Sequence, residues 1–393
     1  MSNRTVILHV IGTLSAKGGT PRKLLSLVEN CSRESFLHVF LCFQKQPVTV
    51  IDSLVQHGAI VELAVRRRNY DLRLLFDILR IAKKHKVNII NTHFARADVF
   101  GAVAGLLLRI PVVKSVHGIL WNEGGSSLTP YLDRLLAPFR YYTVCNSQAS
   151  LEAEKRRSRA KRASVIHNGV VPRQCNRTEN ERLAFRETLG VPPGGFLVVH
   201  VGGLLEIRRQ DLIVEALSAI VGRGVDAYCV IAGDGRQKRM LNERVTSLGL
   251  QSRVKMFDFV DDVGSLLAAA DAYVNMTTAE GFGLAVVEAM FARLPVVLAN
   301  GGSHPELIVD GESGILVPMG ESQALANALS RLAADSSLRQ RLGESAAERA
   351  RRRFSISRFV ADFETFYTKC LRAWEKRAWF DKLLGRIRDP LTT

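Results

Sequence analysis

The sequence predicts an α/β protein with two parallel-sheet domains, and three observations carry that reading. Short apolar runs alternate with helix-period segments from Thr5 to Ile166 and again from Phe196 to Val317, the pattern of successive βαβ units. A polar, charged stretch from Val171 to about Pro193 separates the two series. Polar and glycine residues stand where strands end, as at Thr92-His93, His117-Gly118 and Gly202-Gly203, where open α/β sheets receive their ligands.

The first series opens with a strand at Thr5 to Ile11. A glycine turn at Ala16-Lys17-Gly18-Gly19-Thr20 leads to a helix over Arg22 to Asn30. Strands follow at Phe36 to Cys42 and Val61 to Val65. Asp71 to His85 is amphipathic with helical period, and Val87 to Asn91 is the next strand. A small-residue helix over Asp98 to Leu108 precedes a strand at Pro111 to Val116, and Tyr141 to Cys145 and Ser164 to Ile166 supply two more. In the second series the strands are Phe196 to Val201, Asp226 to Ala232, Val254 to Phe257, Ala272 to Met276, Pro295 to Ala299 and Gly314 to Val317. Helices span Asp211 to Val221, Arg236 to Leu248 and Leu284 to Ala292. Beyond Glu321 only helical periodicity remains, to about Leu371.

At 393 residues the chain has the length of two ordinary domains. Residues 1–11 lack the length and flanks of a signal peptide. No apolar run reaches the roughly 18 residues of a membrane helix, so a cytoplasmic protein is expected. Cys31, Cys42, Cys145, Cys175, Cys229 and Cys370 are scattered without metal-ligand spacing, as buried free thiols in a reducing compartment would be. The net charge of +16 is clustered at Arg66-Arg67-Arg68, Lys155 to Arg162, Arg349 to Arg353 and the tail from Trp374 to Arg388. In the tail, cations interleave with Trp374, Trp379 and Phe380, which suits an anionic membrane surface. Solvated helix faces are the plainer reading. No nucleic-acid-binding motif accompanies the charge, so no nucleic-acid partner is expected.

Several chemistries are excluded by spacing. Gly12 is followed by Gly18 and Gly19, so the dinucleotide fingerprint is absent. There is no H-E-x-x-H, no D-x-D after a strand, no paired cysteines and no G-x-S-x-G elbow. No metal and no cofactor are expected.

The informative stretch is Ala279-Glu280-Gly281-Phe282-Gly283-Leu284-Ala285-Val286-Val287-Glu288-Ala289-Met290. Glycines allow a tight bend, and the helix start that follows offers unpaired N–H groups to phosphate. Glu280 and Glu288 are separated by eight residues, about 12 Å at the α-helical rise, too far to act on one bond. That span suits the two ends of a nucleoside diphosphate sugar. A glycine-bounded helix with a surface glutamate at each end is the bland alternative.

Glu280-Gly281-Phe282-Gly283, Glu288 and the following Gly301-Gly302-Ser303-His304-Pro305-Glu306 resemble the retaining glycosyltransferases of family 4. The resemblance covers most of residues 5–370, with motifs in the family's order. It implies the GT-B architecture: two Rossmann-like α/β domains facing a central cleft, and a C-terminal helical tail crossing back to the first. The domains would be 1–172 on the acceptor side, a 173–192 linker, 193–360 for the nucleotide sugar, and a 361–393 helix and basic tail.

Site residues are implied one by one. Gly18-Gly19 resembles the family's glycine turn toward sugar or phosphate, and a plain βα turn is equally open. His117-Gly118 resembles the element whose histidine faces the transferred sugar, and a core histidine is the alternative. Asn146-Ser147 and His167-Asn168-Gly169-Val170 are structural turns. Gly233, in Ile231-Ala232-Gly233-Asp234-Gly235, frees a strand end for the nucleotide, and Val260-Asp261-Asp262-Val263 borders the base. Glu280 would bind sugar hydroxyls and Glu288 the ribose, with the amides of Phe282, Gly283 and Leu284 meeting sugar and phosphate. Glu306 is an anchoring-loop carboxylate or a helix start. One departure stands out. Where many members carry Arg and, five residues on, Lys, this chain has Gly203 and Arg208, with Arg209 adjacent.

The implied activity is transfer from a nucleotide sugar to a glycan or lipid-linked acceptor, retaining and metal-independent, in envelope polysaccharide or glycolipid synthesis, peripheral on the inner face of the plasma membrane. The alternatives are a phosphorylase or sugar-nucleotide epimerase of this fold, or a silent glycan- or membrane-binding protein, which the missing cation at Gly203 would favour.

Overall fold

The computed structural model describes residues 4–16, 18–44, 47–64, 71–119, 129–137, 142–158, 162–172, 178–258, 260 and 262–383. The Arg66-Arg67-Arg68 run, Cys175, Asp261 and the tail beyond Leu383 lie outside them.

The first unit alternates strand and helix: β1 (Thr5–Ile11), α1 (Gly19–Asn30), β2 (Phe36–Cys42), α2 (Ile51–Gln56), β3 (Ile60–Leu63), α3 (Arg73–Lys84), β4 (Ile89–His93), α4 (Ala95–Leu108), β5 (Val112–Val116), α5 (Thr129–Leu136), β6 (Tyr142–Cys145), α6 (Gln148–Ser158) and β7 (Ala163–Val165). All pairings are parallel, in the order β3-β2-β1-β4-β5-β6-β7. Strands buried on both faces read as continuous apolar runs, which is why most were legible. In α3 the buried residues Leu74, Ile78, Ile81 and Ala82 recur at helical spacing and pack on Val10, Val39 and Ile90 of the sheet.

The second unit begins with α7 (Glu179–Thr188), inside the polar stretch expected as a linker. Its start is a capping box: Thr178 accepts from the Glu181 amide and the Glu181 carboxylate accepts from the Thr178 amide. Thr-x-x-Glu was the available signal. Its anchorage is polar. Arg186 donates to the Ala269 carbonyl at 2.9 Å and to Asp271 at 3.0 Å, so no apolar stripe announced it.

There follow β8 (Phe196–Val201), α8 (Gln210–Gly222), β9 (Ala227–Ala232), α9 (Lys238–Ser247), β10 (Val254–Phe257), α10 (Val263–Ala269), β11 (Ala272–Asn275), α11 (Leu284–Phe291), β12 (Val296–Ala299), α12 (His304–Leu307), β13 (Ile315–Val317), α13 (Ser322–Ala334) and α14 (Ser336–Phe354). The parallel sheet runs β10-β9-β8-β11-β12-β13. Helices α8, α9 and α13 pack on one face, and α7, α10, α11 and α14 on the other.

Helix α15 (Ile356–Leu383) belongs to the first unit, which comprises residues 1–169 and 356–393. Phe359, Phe363, Phe366, Tyr367 and Cys370 join Leu27, Phe36, Ile89 and Val144 in one apolar cluster, with Trp374 partly buried against it. The Tyr367 hydroxyl accepts from Asn91 at 2.7 Å. Behind this sheet Lys114, from β5, meets Asp133 at 3.0 Å and Glu154 at 2.7 Å, all three buried. Cys31, Cys42, Cys145, Cys229 and Cys370 are buried free thiols. No described helix is long and apolar enough to cross a membrane.

Candidate functional site: polar groups at the two switch points

In each sheet the strand order reverses direction once, between β1 and β4 and between β8 and β11. The crevice beyond the carboxyl ends of such a pair is where open α/β sheets bind ligands. Gly18, Gly203 and Glu280 follow strands of these pairs, while His117 and Gly233 follow the adjacent strands β5 and β9.

In the second unit the segments after β8, β9 and β11 are knit by backbone. The amide of Gly202 donates to the Ala232 carbonyl at 2.9 Å, and that of Leu204 to Asp234 at 2.9 Å. A Cβ on Gly233 would lie 1.9 Å from the Gly202 oxygen, so only glycine lets these two loops touch. Gly203 is different: it is exposed, and a Cβ there would find the Asp234 oxygen at an ordinary 3.7 Å.

The chain then makes one 3₁₀ turn, Glu206–Arg208, and Arg209 takes the left-handed conformation with φ 51°. The two adjacent cations part company. Arg208 pairs with Glu280, while Arg209 forks onto Asp211 with contacts of 3.0 and 2.8 Å. The Glu280 loop is strapped to the turn: the Thr278 amide and the Thr277 hydroxyl both donate to the Ile207 carbonyl at 3.0 Å. Asn275 donates to Glu280 at 3.4 Å, and the Ser303 amide donates to the Glu280 carbonyl at 3.1 Å.

Gly281 and Phe282 are buried, and the Phe282 ring stands edge-on to Phe354, so only its backbone is available to a ligand. Gly283 is left-handed at φ 80° and starts α11 with no side-chain cap, leaving the amides around Leu284 as a positive end. Glu288 lies partly buried one turn into that helix. The following loop adds Ser303 and His304, which belong to the quoted motif but were assigned no role of their own. His304 donates from Nδ1 to the Ala299 carbonyl at 2.8 Å, which leaves its Nε2 a lone pair. That atom, the Ser303 hydroxyl and Arg208 Nε are buried without partners. Burial lowers the pKa of His304 below the ordinary histidine value. Glu306 sits in α12, whose end is tied down by Arg349 donating to the carbonyls of Leu307 at 2.6 Å and Glu306 at 3.0 Å.

In the first unit Gly18 precedes α1 with extended backbone and Gly19 is its first residue, so neither needs glycine's conformational freedom. His117 follows β5. Its Nδ1 is 2.9 Å from Lys23 Nζ and its Nε2 is 2.9 Å from Nδ1 of His93. Asn146, read as a structural turn, donates to the His117 carbonyl at 3.0 Å. Phe94, beside the His117 ring, opens α4 with φ 72° and ψ 159°, a conformation that costs of order 1–3 kcal/mol in a non-glycine residue. Burial lowers the pKa of His117 well below the ordinary value, and that of Lys23 to about 7. Sequence reading missed Lys23 and placed His93 only at a strand end, because only the strand order makes the two neighbours of His117. Among the described residues no group of three or more His, Cys, Asp or Glu could hold a metal.

Two parallel Rossmann-like units with their polar groups at the switch points, the second presenting an uncapped helix start beside an Arg–Glu pair, define a GT-B glycosyltransferase. Residues 17–174 match Glycosyltransferase Family 4 and residues 181–349 match Glycosyl transferases group 1. The chain belongs to glycosyltransferase family 4 and is a nucleotide-sugar-dependent enzyme. It is 26% identical over 310 residues to the N-acetyl-alpha-D-glucosaminyl L-malate synthase of Bacillus anthracis, covering 77% of this chain and 80% of that one. It is 25% identical over 335 residues to the Escherichia coli UDP-Gal:alpha-D-GlcNAc-diphosphoundecaprenol alpha-1,3-galactosyltransferase, covering 81% and 86%. Among solved structures, Anabaena Alr3699/HepE in complex with UDP and glucose superposes with a TM-score of 0.81 at 27% identity, covering 93% of this chain and 100% of that one.

Proposed function

We propose that this enzyme is a retaining, metal-independent transferase that moves a sugar from a UDP-sugar to a hydroxyl of a glycan or lipid-linked acceptor in envelope polysaccharide or glycolipid synthesis. The observation that carries it is the Arg208–Glu280 pair placed beside the uncapped start of α11. One cation and a helix dipole there match the charge of a diphosphate, and a carboxylate alongside matches sugar hydroxyls. UDP as the leaving group is supported by the likeness to the Anabaena protein, solved with UDP and with UDP-glucose. A lipid-linked acceptor is supported by the Escherichia coli relative, whose name specifies a diphosphoundecaprenol substrate.

In this reading Arg208 meets the diphosphate, with the amides of Phe282, Gly283 and Leu284 completing its neutralisation. Glu280 binds sugar hydroxyls and Glu288 the ribose. Leaving-group charge is stabilised by groups already in place, and the departing phosphate takes the acceptor's proton on the same face. Both ring nitrogens of His117 already have protein partners. A sugar hydroxyl reaches one of them only by displacing Lys23 or His93.

The test is thermal shift and donor turnover with a panel of nucleoside diphosphate sugars, on wild type and Glu288→Ala. Stabilisation by uridine nucleotides, weakened in the variant, is expected. No stabilisation by any nucleotide would overturn the reading. The cationic surplus of +16 suits docking on anionic lipid. Flotation with phosphatidylglycerol vesicles should be lost when Arg66-Arg67-Arg68 and the tail cations are neutralised together, and retention would remove that part.

A further inference from the structure

His38, His9 and His93 lie on β2, β1 and β4, and His117 follows β5. These are four successive strands of the sheet order, and their imidazoles form a ribbon across it. From Lys23 Nζ the links run 2.9 Å to His117 Nδ1, 2.9 Å from His117 Nε2 to His93 Nδ1, 3.1 Å from His93 Nε2 to His9 Nδ1, and 2.9 Å from His9 Nε2 to His38 Nδ1. Neighbouring ring planes lie within 19°, 16° and 24° of one another. Every ring is entered at Nδ1 and left at Nε2. The chain ends at His38 Nε2, which is buried with no partner.

We infer that Lys23 is a positioning residue for His117, and that its ammonium fixes the tautomers of His117, His93, His9 and His38 through this single hydrogen-bonded chain. Below its pKa of about 7 Lys23 is an ammonium, which has donors and no acceptor, so His117 Nδ1 must accept from it. A neutral imidazole then carries its proton on Nε2 and donates to the next Nδ1, and the condition passes ring by ring. All four rings are Nε2–H. Burial keeps them neutral, lowering each pKa below the ordinary histidine value. No carboxylate among the described residues acts on Lys23 or on these rings.

The direction is not the one the ribbon would choose alone. It leaves the terminal N–H at His38 Nε2, which is buried with no partner, where the reverse direction would place it at Nδ1 of His117, a residue only half-buried, and an unpaired donor costs most where it is most buried. Lys23 therefore decides the direction from the opposite end. The result is a His117, the residue assigned to face the transferred sugar, that is neutral, held at both nitrogens and unable to turn. That role toward the sugar rests on the function proposed above. The tautomer assignment does not.

The experiment labels the full chain with ¹⁵N-histidine and reads the four tautomers by long-range ¹H–¹⁵N correlation. In wild type at pH 6, below the Lys23 pKa of about 7, all four are expected as Nε2–H. In Lys23→Met the ribbon should leave that single tautomer and the His38 Nε2–H signal should be lost. Donor turnover should then drop about tenfold in kcat with KM within about twofold, as for a group that orients a catalytic side chain. Lys23→Arg, which keeps the donor, should restore the wild-type tautomers. Any of the four rings found as Nδ1–H in wild type, or all four unchanged in Lys23→Met, would overturn the inference. Should Lys23→Met not fold, His38→Phe shortens the ribbon at its far end. The remaining three rings must then stay Nε2–H, and reversal there would also overturn it. Absence of turnover with every donor in wild type would sink the transferase details and leave the tautomer reading to stand on its spectra.

Discussion

Arg208 closes on the carboxylate of Glu280, a partner 72 residues away, while its neighbour Arg209 closes on Asp211, two residues away. The left-handed backbone at Arg209 lies between the 3₁₀ turn and α8 and sends the two guanidiniums to different carboxylates. Only Arg208 is thereby coupled to the loop that leads into α11. Removing one preorganised charge of this kind costs about 10²–10³ in rate. Arg208→Ala should therefore lose about that factor in donor kcat/KM, and Arg209→Ala much less. Steady-state kinetics on the two variants checks it; equal losses would mean that Arg209 serves the diphosphate as well.

Gly203 offers a gain-of-function counterpart. Its backbone is not left-handed, it is exposed, and the nearest atom to a Cβ is 3.7 Å away. Gly203→Arg should be accommodated and should tighten UDP binding by about tenfold, one charge-assisted contact's worth. Calorimetric titration of both proteins decides. Unchanged affinity would show that this position does not face the diphosphate.

Stability should depend on pH through the ribbon. The buried histidines have pKa values below the ordinary 6.5. Below about pH 6.5 the unfolded chain therefore binds more protons than the folded one, and stability falls as pH drops. Lys23 is lowered from 10.5 to about 7, so the unfolded chain also holds the extra proton between those values, and stability rises across that window. Melting temperature against pH should climb in both ranges, and Lys23→Met should flatten the upper one. A flat profile from pH 5 to 6.5 would contradict the buried neutral rings.

Lys114 is a structural counterpart with the opposite surroundings. It is 2% exposed and neutralises the fully buried Asp133 and Glu154 at 3.0 and 2.7 Å, tying α5 and α6 to β5. Deleting one member of such a cluster strands the others, and about 3–5 kcal/mol is the usual cost. Lys114→Met should lose that much in denaturant melts while leaving the second unit's nucleotide affinity unaltered. A loss under about 1 kcal/mol would mean that the carboxylates take up protons instead.

Local pattern carried much of this molecule. Apolar runs marked the strands because parallel strands are buried on both faces, and the Glu280 to Glu288 corner was visible because a bend, a helix start and two carboxylates are all local in sequence. Helix α7 escaped because arginine contacts, not an apolar stripe, hold it, although Thr178 and Glu181 spelled its cap. The partners of His117 could not be read at all. Lys23 is 94 residues from it and His93 is 24, and no spacing rule joins residues on different strands. The alternation of strand and helix, the division into two α/β series and the residue types at each strand end are all legible in chain order, because period and turn chemistry are properties of neighbours along the chain. The tertiary structure alone decided that α15 returns to the first sheet, that Arg208 meets Glu280, and that four histidines and a lysine share one hydrogen-bonded line. Strand order and helix crossings are set by the burial of whole faces, and they bring together residues the chain keeps far apart.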